Sequence, residues 1–167
     1  MKTMVRIFDT KKGVKLDLSQ IKESYINDDI LLSLDLGENE SKDVDLNKQN
    51  IYSLCIGINN FEDSKFPSLN YAENDASELH NLFVEKFGVG EGTIKLLNEG
   101  ATRAKITEAI SKLVKISKPE DLVIIFIASH GQFINSPKGP DYYLITYDSD
   151  FNNLIGTALP MNTIKEL

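Results

Sequence analysis

The chain has one cysteine, Cys55, and no tryptophan among its 167 residues. A lone cysteine closes no internal disulfide, which excludes a small secreted scaffold held together by disulfides. Long apolar runs are missing too: no stretch approaches the roughly 20 consecutive apolar residues of a membrane span, and the amino terminus lacks the layout of a signal peptide. Cations are outnumbered, 18 Lys and Arg against 25 Asp and Glu, for a net charge of −7. That balance argues against a general nucleic-acid surface, because phosphate binding relies on clustered Lys and Arg. A cytoplasmic, reducing compartment is expected, with neither nucleic acid nor membrane as a partner.

What is present is ordinary globular composition, 41% hydrophobic and 26% charged, enough for one domain with a core and a short appendage. Residues 51–58 form a nearly continuous apolar run closed by Asn59 and Asn60, which predicts a buried strand. Leu69, Ala72, Ala76, Leu79, Phe83 and Phe87 then recur at steps of three and four, one face of a helix that Gly88 stops. Residues 93–97 read as a strand. Thr102 reads as the N-cap of a helix whose stripe is Ile106, Ala109, Ile110, Leu113 and Val114, ended by Pro119. Residues 121–128 form the most apolar strand, 142–147 another, and a last helix starts near Asn162.

Strands alternating with amphipathic helices imply βαβ units, so the expected fold class is α/β. The expected architecture is a three-layer α/β/α sandwich with a mostly parallel sheet that holds the strands beginning near Ile51, Thr93, Asp121 and Tyr142. It is incomplete at its C-terminal side, and at least one further strand is expected from another polypeptide or from further residues.

Residues 1–49 differ from the domain expected over 50–167. They are polar, and their acidic stretch over 38–45 reads as a solvated linker. Val5-Arg6-Ile7-Phe8-Asp9-Thr10-Lys11-Lys12-Gly13 resembles the outer strand and turn of a WD-repeat propeller blade. Propellers need several blades to close, so this N-terminal extension is expected as an edge hairpin or strand pair against the α/β unit, or as a blade remnant.

His130 and Gly131 follow directly on the apolar run. They set a titratable imidazole at the C-terminal edge of the predicted sheet, where open α/β folds collect their chemistry. Such a group serves a nucleophile, yet no cysteine follows it in the sequence. Cys55 lies inside an apolar strand, where burial raises a thiol pKa, and is expected as a small core hydrophobe. His80 is expected at the surface.

Four segments in order, Leu54-Cys55-Ile56-Gly57-Ile58-Asn59, Leu69-Asn70-Tyr71-Ala72-Glu73-Asn74-Asp75-Ala76, Ile125-Phe126-Ile127-Ala128-Ser129-His130-Gly131 and Tyr143-Leu144-Ile145-Thr146-Tyr147-Asp148, resemble the caspase-like cysteine peptidases. The likeness is strongest to the metacaspase and bacterial caspase-like branch and covers about residues 51–167. It implies the large-subunit portion of an endopeptidase, with His130 as general acid/base and Gly131 as an oxyanion donor. It also implies a substrate pocket with Asp75 at its floor and Ala128 and Ser129 beside it. Leu69 stands where true caspases carry the arginine that binds substrate aspartate, so cleavage after Arg or Lys is expected instead. Ala128 replaces a small polar residue common before the histidine.

The resemblance sets the nucleophile roughly 50 residues beyond the histidine, near position 180 by that spacing. The expected partners are therefore a Cys-bearing following segment or separate small-subunit chain, with self-cleavage as one source of the boundary, and a polypeptide substrate. No cofactor is implied apart from calcium, which some metacaspases bind through carboxylates in the region of Asp141, Asp148 and Asp150. Calcium takes six to eight oxygens, and the same aspartates also suit turns. The alternative function is a non-catalytic caspase-like scaffold or regulatory module that kept the fold without the thiol.

Overall fold

The computed structural model describes residues 3–9, 30–34, 50–88, 90–119, 121–136 and 139–165. In chain order they form β1 (Thr3–Asp9), β2 (Ile30–Leu34), β3 (Ile51–Gly57), α1 (Ala72–Phe87), β4 (Thr93–Leu97), α2 (Arg103–Ile116) and β5 (Leu122–Ala128). There follow β6 (Gly131–Ser136), β7 (Gly139–Leu144), α3 (Leu154–Thr157), β8 (Leu159–Pro160) and α4 (Asn162–Lys165). The main sheet has the order β2-β1-β5-β3-β4, and β5, β3 and β4 are mutually parallel.

Alternation along the two central strands divides their side chains between two faces. Leu54, Ile56 and Ile58 join Ile125 and Ile127 against Ile106, Ala109, Ile110 and Leu113 of α2. Cys55 joins Ile124, Phe126 and Ala128 against Ala72, Ala76, Leu79 and Phe83 of α1. Strand addition reverses direction after β4, so a constant crossover hand puts α1 and α2 on opposite faces. Thr102 caps α2 as the sequence predicts, its hydroxyl accepting from the Lys105 amide at 3.3 Å.

Gly57 decides how close α1 comes. A Cβ built there would collide with the Ala72 carbonyl and lie 2.8 Å from the Ala76 Cβ. Glycine in the strand and alanines on the helix let the first turns of α1 rest on the end of β3.

One expectation needs correction. The strand beginning near Tyr142 does not join the main sheet: β7 pairs antiparallel with β6 and β8 in a separate three-stranded sheet. A parallel neighbour of β5 would need a crossover of about a dozen residues or more. The chain after Ala128 instead builds β6 and returns as a hairpin, in the register Gly131↔Leu144 to Ser136↔Gly139.

The other edge of β5 is occupied as well. β1 pairs there, antiparallel to β5, and β2 is parallel to β1. A strand buried on both faces leaves backbone groups unpaired if its edge is bare, and β1 supplies their partners. Residues 10–13 of the blade-like pattern and the acidic stretch over 38–45 lie outside the described residues. Among the described residues, no helix is long and apolar enough to cross a membrane.

Candidate active site

In a sheet ordered β5-β3-β4, the connections leaving β3 and β5 run to opposite faces, and the crevice outside their carboxyl ends is the topological switch point. Two segments meet there: the loop from Asn59 to Asn70 after β3, and His130 after β5. The imidazole is half-buried. Its Nε2 lies 2.7 Å from the Pro67 carbonyl oxygen, and its ring stacks on Phe61 at a centroid distance of 5.3 Å and 26° between planes.

A carbonyl oxygen only accepts, so Nε2 carries the proton in that bond. In the neutral ring Nδ1 is then the nitrogen with a free lone pair, which is the atom needed to take a proton from a thiol. Sequence reasoning missed Pro67 because the working group is a backbone carbonyl, which any residue type offers. The proline in the loop was the available signal.

The loop holding that carbonyl is tied down at several points. The Glu62 amide donates to the Tyr147 carbonyl at 2.9 Å. The Asp63 carboxylate accepts from the Lys65 and Phe151 amides, each at 3.0 Å. Phe61, Phe66 and Phe151 form an aromatic chain with successive centroids 5.4 Å apart.

The amides of Lys65 and Phe151 hold the Asp63 carboxyl below its ordinary range. A carboxyl with a lowered folded-state pKa stabilises the fold above its unfolded pKa and loses that contribution as pH falls through the lowered value. The protection of the Lys65 and Phe151 amides, taken relative to the intrinsic exchange rate at each pH, is therefore expected to fall below about pH 4, and Asp63→Ala to give the same loss of protection at neutral pH. Amide hydrogen exchange followed from pH 7 downwards measures this.

Gly131 is exposed at the start of β6. A Cβ there would meet only the Tyr143 carbonyl oxygen, at 3.8 Å, so nothing within the described chain demands a glycine. Ser129 and Ala128 are both buried: the Ser129 hydroxyl donates to the Ile145 carbonyl at 2.7 Å, and Ala128 packs in the cluster under α1. The Ile145 amide donates to the His130 carbonyl at 2.9 Å. These bonds fix the end of β5 against the segment after β7 and so set the direction in which His130 leaves the sheet.

Asp75 is half-buried on α1, with no hydrogen bond to its carboxylate among the described residues. Burial, and secondarily Glu78, pushes its carboxyl above the usual range. The buried stripe of α1 is Ala72, Ala76, Leu79 and Phe83. His80 leaves one flank of that stripe toward β4, where Lys95 bears on it. Helical spacing puts Asp75 on the other flank, the side of β5 and His130. The surface location expected for His80 is corrected: the ring is half-buried, its Nδ1 has no hydrogen-bond partner among the described residues, and burial lowers its pKa.

The three aspartates considered for calcium have separate tasks. Asp148 accepts from the Arg103 amide and the Thr146 hydroxyl, both at 2.8 Å, and so ties the start of α2 to the segment after β7. Asp150 accepts from the Asn152 amide at 2.8 Å, as turn residues do, and Asp141, within β7, accepts from the adjacent Tyr142 amide at 2.8 Å. No group of three or more His, Cys, Asp or Glu that could hold a metal ion occurs among the described residues.

Cys55 is fully buried on the α1 side of β3, and burial pushes its thiol up to about 12. At neutral pH it stays a thiol, and the thiolate is the nucleophile. Cys55 is expected to resist a soluble disulfide reagent in the native chain and to react at once in denaturant. Labelling followed by absorbance checks this.

A cavity of about 500 Å³ lies at the opposite end of the strands, lined by Asn50, Tyr52, Phe87, Gly92, Thr93 and Ile116 among others. These residues begin β3 and β4 and end α1 and α2. The cavity is thus remote from His130, and Tyr52 and Glu91 are the titratable residues of its described lining.

The sequence profile of the caspase domain (Peptidase_C14) matches residues 52–165. That is well over half of the chain, which therefore belongs to the caspase-domain family, a family of cysteine peptidases. Among solved structures, protein GSU0716 from Geobacter sulfurreducens is similar, with a TM-score of 0.52 and 22% identity over 70% of this chain. At that identity the likeness is one of fold. The match covers 44% of the Geobacter protein, so this chain spans less than half of its length. No curated protein matches the chain.

Proposed function

We propose that this chain is the large-subunit portion of a caspase-like cysteine endopeptidase of the metacaspase branch, which cleaves polypeptides after Arg or Lys. The observation that carries the reading is the bond from His130 Nε2 to the Pro67 carbonyl. It leaves Nδ1 as a base at the rim of the switch-point crevice. A thiol brought to Nδ1 by a following segment or a separate chain gives up its proton there and attacks the substrate carbonyl carbon. The oxygen that becomes negative is met by the amide of Gly131, where the backbone is open to approach. The imidazolium then protonates the departing amine, and water hydrolyses the acyl-enzyme with the same ring as base.

Asp75 supports the basic preference. A half-buried carboxylate on the His130 side of α1, raised by burial and without a cation among the described residues, gains most from a substrate guanidinium or ammonium. Ala128 and Ser129 would then act beneath the pocket. Self-cleavage between this portion and the Cys-bearing segment, and a cytoplasmic setting, complete the proposal.

The test joins this chain to its Cys-bearing segment and assays peptides ending in Arg, Lys or Asp before the scissile bond. Cleavage after Arg and Lys is expected, and Asp75→Asn should lower kcat/KM for those peptides about 100-fold, the value of one charge-assisted pair. Cleavage after Asp, or indifference to Asp75→Asn, would contradict the specificity. One observation favours a second reading, a non-catalytic module: the sole cysteine in the chain is buried and protonated. Failure of the joined protein to cleave any of the three peptides would select it.

A further inference from the structure

Asn98 has a backbone that side chains seldom adopt, with φ of 41°, immediately after β4. Asparagine accepts this conformation at less cost than most residues. Its side chain uses both ends. Oδ1 accepts from the Asn59 amide at 2.9 Å and from the Asn60 amide at 3.2 Å, and Nδ2 donates to Glu73 Oε2 at 2.7 Å. The Glu73 amide in turn donates to Asn59 Oδ1 at 3.1 Å.

These bonds close a ring through Asn98, Asn59 and Glu73. The ring joins the exit of β4, the exit of β3 and the first turn of α1. The N-cap residue of α1, Tyr71, provides no side-chain cap, so Asn59 serves the helix start from across the loop. Asn59 also accepts from the Leu69 amide at 2.8 Å through its own carbonyl, which closes the base of the loop that carries Pro67.

We infer that Asn98 is a positioning residue for His130: through Asn59 and Asn60 it sets the loop that presents the Pro67 carbonyl to Nε2. This rests on the proposed role of His130 only for its effect on catalysis. The positioning itself is a property of the ring and the loop. The same ring orients the helix turn that bears Asp75, two residues past Glu73.

The imidazole nitrogens of this chain, observed by ¹⁵N NMR, provide the test. The wild type is expected to show His130 in a single tautomer with the proton on Nε2. Asn98→Gly keeps the backbone conformation and removes the three side-chain bonds, so it should fold and yet show mixed tautomers at His130. Exchanging donor and acceptor by Asn98→Asp together with Glu73→Gln rebuilds the ring with the Asn59 and Asn60 amides still accepted. That pair should restore the single tautomer, which a mere packing role would not predict.

In the protein joined to its Cys-bearing segment, Asn98→Gly should lower kcat about tenfold, and the paired exchange should recover it. A wild-type tautomer in Asn98→Gly overturns the inference even if peptides are cleaved. A tautomer response without any peptidase activity upholds the positioning and removes the peptidase reading.

Discussion

His130→Ala is expected to lower kcat/KM of the protein joined to its Cys-bearing segment by about 10²–10⁴-fold, the range of a positioned acid/base group. The melting temperature should hardly change. The ring is half-buried, its Nε2 bond goes to the carbonyl of an exposed proline, and removing it opens no cavity in the clusters between sheet and helices. The contrast between activity and stability is the informative result. A histidine kept for packing would lose both together, whereas a group held for proton transfer loses only the first. His130→Gln tests the geometry more closely, since an amide nitrogen still donates to Pro67 while no atom at the Nδ1 position takes a proton. It should be as inactive as alanine and at least as stable.

Gly57→Val should have the largest effect on stability. A side chain at this position has no room: the Ala72 carbonyl occupies its place and the Ala76 Cβ is 2.8 Å away. Both belong to a helix that cannot retreat without uncovering Cys55, Ile124 and Phe126. Overpacking of this kind costs about 1–3 kcal/mol, occasionally more, and for a chain of this length each kcal/mol lowers Tm by roughly 2–4 °C. Gly57→Ala should fall at the lower end of that range. Both variants move the first turns of α1, so under the proposed basic specificity any remaining activity should show a raised KM for basic peptides, because Asp75 moves with the helix. Calorimetry and steady-state kinetics on the same preparations would measure both effects. Unchanged melting in Gly57→Val would mean that α1 is not seated as described.

The residues of the core and the end of β5 are legible in the amino-acid sequence. The apolar runs over 51–58 and 121–128 and the helical stripes of α1 and α2, apart from Phe87 and Val114, which are exposed, depend on local chemistry, as does the capping of α2 by Thr102. The position of His130 after the most apolar strand follows from the same reading. The segment beginning near Tyr142 is legible as a strand but not as a hairpin partner. An apolar run states that a segment is extended and buried, and it does not name the neighbour. The aspartates considered for calcium form no group of three or more candidate ligands among the described residues. Asp141, Asp148 and Asp150 are close in sequence, but each carboxylate is committed to a different backbone amide.

Side-chain chemistry repeated at fixed periods is enough to set which segments are extended or helical, which faces they bury, and that an imidazole stands at the rim of the parallel strands. Packing in three dimensions was needed to settle that the imidazole is gripped by the Pro67 carbonyl, that Asp75 lies on the β5 flank of α1, and that Asn98 joins the exits of β3 and β4. Each of those depends on backbone groups or on residues far apart in the chain, and such groups carry no signature until the fold brings them together.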